Sequence, residues 1–183
     1  MKSSVSSRSS QPPPRILVAG IGNIFLGDDG FGPEVLRALG SGPLPDGVHA
    51  VDYGIRGMHL AYDLLEGWDA LVLVDAVPDR GRPGDIRVFE VDADDAGLTP
   101  QLDAHGMDPG AVFASLAALG GRLPRTAVVG CQAACVDEGI GLSAPVAAAV
   151  DVAVDEVRAA VSRLGSSAAV GEPAGDPLQG TEG

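Results

Sequence analysis

The chain has 183 residues, enough for one domain, and its 45% hydrophobic content supplies one core. Only 4% of it is aromatic, so Val, Leu and Ala must fill that core. A net charge of −13 argues against nucleic acid and anionic membrane surfaces as partners. No apolar run approaches the roughly 20 residues that span a bilayer, and the Ser-rich start lacks the apolar centre of a secretory signal. A cytoplasmic protein is expected.

Residues 1–14 are rich in Ser and then Pro and cannot bury a core, which predicts a disordered tail. Ile16, Leu17, Val18 and Ala19 then form a strand that runs into Gly20-x-Gly22-Asn23. Asp28-Asp29-Gly30-x-Gly32 follows, and Pro33 suits the first turn of a helix reaching about Leu39. The loop between them lies at the strand's carboxyl end, the edge where open α/β sheets bind ligands. A dinucleotide fingerprint needs a third glycine where Phe25 stands. Two carboxylates at the helix start would repel a pyrophosphate and attract a metal or a cationic group. The plainer alternative is that Asp28 or Asp29 caps the helix.

Residues 48–53 read as a second strand containing His49, a packing or surface residue, and residues 58–66 as a helix with a solvated His59 in its first turn. The continuous Leu/Val run of residues 70–77 is the pattern of a central parallel strand buried on both faces. Asp75 stands near its end, and a carboxylate beside that much apolar surface is costly unless paired or coordinated. Residues 85–91 alternate as an edge strand does. A long irregular stretch over 92–110 holds His105, and loops of that length are uncommon without a function. A helix over 111–119 and a last strand over 125–131 follow. Cys131 and Cys135, four apart, match no metal or redox signature and read as small buried hydrophobes. Ser143 caps a final helix whose apolar stripe is Val146, Val150, Val154, Val157, Val161 and Leu164. From 165 to 183 composition turns to Ser, Ala, Gly and Pro, which predicts a flexible tail beyond a single domain of 15–164.

Alternating strands and helices predict a three-layer α/β/α sandwich on a mostly parallel five-stranded sheet. Asp29 after the first strand, Asp75 after the central strand and His105 before a helix can converge at the carboxyl edge. Two carboxylates and one imidazole make an open metal site suited to metal-assisted hydrolysis. Mixed oxygen and nitrogen donors suit zinc, nickel or cobalt better than magnesium.

Gly20-x-Gly22-Asn23, Asp28-Asp29-Gly30-x-Gly32, Val74-Asp75-Ala76 and the isolated His105 together resemble the NiFe-hydrogenase maturation endopeptidases, over residues 15–164. The resemblance implies a hydrolase that trims a C-terminal peptide from the large-subunit precursor of a hydrogenase. It implies that Asp29, Asp75 and His105 are both the metal ligands and the catalytic residues. It also implies that the metal is nickel supplied by the substrate, with zinc or cadmium able to take the site in vitro. The family's first acid is often glutamate, and a glycine–threonine pair after its second strand is replaced here by Gly54-Ile55-Arg56-Gly57. A monomer is expected. Two other readings stand beside this one: a Rossmann-like nucleotide-binding enzyme, and a non-catalytic assembly chaperone for the large subunit.

Overall fold

A computed structural model describes residues 12–91 and 109–168. Five strands form one sheet in the order β2-β1-β3-β5-β4. They are β1 (Ile16–Ile21), β2 (Val48–Gly54), β3 (Ala70–Val77), β4 (Ile86–Val91) and β5 (Arg125–Gln132). All pairings are parallel except that of β4, which lies antiparallel along β5. The β3 register runs Ile16↔Ala70 to Gly20↔Val74 on one side and Ala70↔Arg125 to Val77↔Gln132 on the other. The central run of Leu and Val is therefore paired on both edges and buried on both faces, as its unbroken apolar pattern predicts.

Helices cover both faces. Helix α1 (Phe31–Leu39), the short α4 (Ala144–Ala148) and α5 (Val150–Ala168) enclose one core with Ile16, Val18, Val72, Val74, Val129 and Cys131. Helices α2 (Gly57–Leu64) and α3 (Pro109–Ala118) enclose the other with Leu17, Ala19, Leu71, Leu73 and Val128. Successive strand residues alternate between these two cores, as a pleated backbone requires. The three-layer sandwich predicted from sequence is the fold observed.

The last helix departs from expectation in two ways. Its buried line passes through Val146, Ala149, Ala153, Val157, Ala160 and Leu164, leaving Val150 and Val154 only half-buried. Alanines along this line let the helix axis lie close to the sheet. It also continues through Gly165 to Ala168, into the stretch expected to be a tail. The reason is tertiary: a side chain at Gly165 would touch Ile16 and Pro14, so this turn rests on the start of β1. His105 and the rest of 92–108, like 1–11 and 169–183, lie outside the described residues.

The strand order places a topological switch at β1. The chain leaves β1 for β2 on one side, and β3 then returns to its other side. The crevice outside the carboxyl ends of β1 and β3 is where open sheets of this kind hold ligands.

Candidate functional site

The loop after β1 ends in a 3-10 turn, Gly27–Gly30, that packs against β3 and carries Asp28 and Asp29. Neither aspartate caps α1, for that helix starts without a side-chain cap and with Pro33 in its first turn. The two acids instead turn to different environments. Asp28 is fully buried and accepts from Ala134 N (2.8 Å), Cys135 N (3.0 Å), Ser143 N (2.6 Å) and Ser143 Oγ (2.8 Å). Burial alone would raise its pKa, but the hydrogen bonds from Ser143, Ala134 and Cys135 together outweigh it and hold the carboxyl below its ordinary value. The Asp28 carboxylate is thus a clamp between the β1 loop and the segment after β5. Two backbone bonds reinforce it, Asp28 N to Cys135 O and Gly27 N to Gly139 O, each 2.9 Å. Ser143 occupies the cap position of α4, yet its side-chain oxygen accepts from no helix N–H, and its hydroxyl donates to the ionised Asp28 instead.

Among the described residues Asp29 accepts one hydrogen bond, from Asn23 N at 2.7 Å, and it faces an open cleft of about 240 Å³ with Val77, Pro78, Ala133, Cys135 and Val136. Burial dominates here and pushes its pKa up, only partly offset by the Asn23 bond. A buried carboxylate with spare lone pairs at the mouth of a cleft has the donor chemistry to take a divalent cation or to move a proton. Asp75 is also buried, near the carboxyl end of β3 and one residue before cleft-lining Ala76. The structure therefore brings Asp29 and Asp75 to neighbouring strand ends at the switch point. His105 lies outside the described residues, and among those described no three Asp, Glu, His or Cys side chains gather as a metal cage.

Of the remaining candidates, His49 lies away from this crevice and Cys135 lines it. His49 meets Trp68 edge-to-face at 5.3 Å, and Arg15 stacks on the same indole at 4.5 Å. His49 pairs in register with Leu17, near the amino end of β1, and His59 is exposed on α2. Both cysteines are free thiols. Cys131 is buried, and desolvation, helped by the negative Asp28 and Asp85, pushes its thiol up to about 12. Cys135, expected from the sequence to be buried, is instead exposed and donates to Asp137 at 3.2 Å.

The glycines of the first motif serve packing. Gly22 has a φ of +131°, and a side chain there would run into the Asp29 carbonyl. A side chain on Gly32 would collide with the Ile21 carbonyl and lie 2.6 Å from that of Val74. Helix α1 is seated directly on the ends of β1 and β3, and that contact fixes the turn bearing Asp29.

The sequence profile of the hydrogenase maturation proteases matches residues 33–160. The chain belongs to this family. A Methanocaldococcus jannaschii protein provisionally named a hydrogenase maturation protease is 37% identical, over 76% of this chain and 92% of its own. The Escherichia coli hydrogenase 2 maturation protease is 31% identical over 84% of this chain and 94% of its own. The solved structure of the hydrogenase maturating endopeptidase HybD from E. coli superposes with a TM-score of 0.71 at 31% identity, covering 82% of this chain and 94% of that one. The family resemblance seen in the first motif is thus matched across nearly the whole described fold of this maturation protease. Sequence reasoning missed the division of labour between Asp28 and Asp29, whose only signal was a serine more than a hundred residues away.

Proposed function

We propose that this maturation protease removes the C-terminal extension of a NiFe-hydrogenase large-subunit precursor after nickel insertion, gripping that nickel with Asp29, Asp75 and His105. The observation that supports the reading best is the asymmetry of the acid pair. One carboxylate is saturated by four hydrogen bonds, while its neighbour accepts one and opens into the cleft. A buried acid left under-bonded is costly, and a substrate-borne cation offsets that cost. Nickel held there supplies a Lewis acid that polarises the scissile carbonyl or activates a water. The chain's own part is to hold the carboxylates rigidly: Asn23 N–H orients Asp29, and α1 seats the loop on β1 and β3.

The substrate of such an enzyme is a folded protein, and the crevice has a rim that suits one. Ile24, Phe25, Ile55, Val136 and Ile140 on the turns after β1, β2 and β5, and Met58 in the first turn of α2, are all exposed large apolar residues. These turns are tied together by Gly22 N to Gly54 O (3.1 Å) and Gly139 N to Phe25 O (2.9 Å). Exposed apolar residues on three neighbouring segments beside a cleft that carries a buried acid favour a protein partner.

Intact mass of a candidate precursor, with and without nickel, tests the reading. Loss of a discrete C-terminal peptide from the nickel-loaded sample alone is expected. Asp29→Asn and His105→Ala should each abolish it, and cleavage surviving in both would remove these residues from the mechanism. A stable complex without shortening would instead indicate an assembly chaperone.

A further inference from the structure

A second cleft of about 250 Å³ adjoins the first at the end of β3, where both are walled by Val77 and Pro78, and continues to Arg80, Arg87, Phe89 and Gln132. Its charge inverts that of the molecule. The chain has 25 acidic and 12 basic side chains, yet this cleft is lined by two guanidiniums. Gln132 builds it. Although only 2% exposed, Gln132 accepts Arg80 N through Oε1 at 2.9 Å and donates from Nε2 to Asp85 Oδ2 at 3.3 Å. Asp85 Oδ2 in turn takes Arg87 Nε and Nη2, each at 3.2 Å. One buried amide therefore fixes both arginine-bearing segments. Asp85 neutralises one edge of Arg87, while among the described residues the Arg80 guanidinium has no partner.

The geometry points to a carboxylate subsite: Arg80 and Arg87 hold a carboxylate of the C-terminal extension while the bond to be cut lies beside Asp29. Guanidinium forks match carboxylates in two-bond geometry, and the shared Val77–Pro78 wall lets one peptide occupy both clefts. The carboxylate belongs either to the extension's terminus or to an acidic side chain within it. This inference rests on the C-terminal processing proposed above.

The test is steady-state cleavage of nickel-loaded precursor by the full chain and by an Arg80→Ala, Arg87→Ala double variant, with melting curves for both. The expected result is an unchanged melt, a kcat within about twofold, and a KM raised about tenfold by loss of charge-assisted contacts. Arg80→Lys with Arg87→Lys should recover part of the loss. A precursor whose extension has Asp and Glu changed to Asn and Gln, and one whose end is lengthened by a short glycine run, separate the sources. Arginine dependence vanishing with the first assigns a side chain, and with the second the terminus. Dependence persisting in both, or a wild-type KM in the double variant, overturns the subsite. If the wild-type chain leaves the precursor uncut, the processing reading itself has failed. Retention of that precursor on immobilised protein then decides the cleft, supporting it if the double variant loses retention and overturning it if retention is equal.

Discussion

Two adjacent aspartates with the same local sequence are put to opposite uses. The carboxylate of Asp28 faces only donors, from Ala134, Cys135 and Ser143. Asp28→Asn would point an amide N–H₂ at N–H groups and should destabilise the fold by about 2–3 kcal/mol, read by urea unfolding. Asp29→Asn keeps an oxygen for Asn23 N and should stay within about 0.5 kcal/mol of wild type, while precursor cleavage measured by mass is lost. The pair was legible in the sequence as a carboxylate-bearing turn. Which member faces the cleft was not, because the partners of Asp28 lie 106 to 115 residues away along the chain. The same distance hid the fate of Ser143, whose local pattern is that of a helix cap.

At the scale of elements, the strand–turn–helix unit depends on close backbone approach. Gly32→Ala would drive a methyl into the Ile21 carbonyl and to 2.6 Å from the Val74 carbonyl, with backbone on both sides and no flexible side chain to yield. A loss of about 3 kcal/mol is expected from overpacking, with cleavage falling further because the Asp29 turn moves with the helix. On the opposite face, Tyr53 of β2 donates to Asp63 of α2 at 2.6 Å. Burial first, and the Asp63 bond second, raise the phenol's pKa above its usual 10.0. A raised folded pKa means stability that is complete below the unfolded value and declines as pH rises beyond it. Tyr53→Phe should therefore cost about 1 kcal/mol at neutral pH, with the gap to wild type narrowing above pH 10 in urea titrations. Strand and helix types were legible from periodicity alone. The helix line through Ala149, Ala153 and Ala160 was not, since alanine gives little hydrophobic signal and is buried here because the sheet comes close.

For the whole molecule, strand order decides where chemistry can occur. The order β2-β1-β3-β5-β4 brings the carboxyl ends of β1 and β3 together and surrounds them with the turns after β2 and β5. Phe25 is 60% and Ile140 81% exposed on that rim, so their apolar surface contributes little to the folded chain alone. Changing both to Asp should leave the melting temperature within about 2 °C. Binding of the large-subunit precursor, measured by calorimetry with the inactive Asp29→Asn background, should weaken at least about tenfold because apolar anchors dominate such interfaces. Among the described residues no helix is long and apolar enough to cross a membrane, in keeping with the absence of a long apolar run in the sequence.

The sequence by itself determined the layers, the central buried strand, the carboxyl-edge position of Asp29 and Asp75, and the family. All of these follow from local signals: unbroken apolar runs, helical spacing, and glycines and acids at set intervals within a short motif. The tertiary structure alone decided that Asp28 is a clamp and Asp29 the acid that faces the cleft, that the first glycines serve helix packing, and that Gln132 ties two arginine-bearing segments into one cleft. Each of these depends on groups brought together from distant parts of the chain, and a carboxylate, a glycine or an amide has the same local sequence whichever neighbour folding places against it.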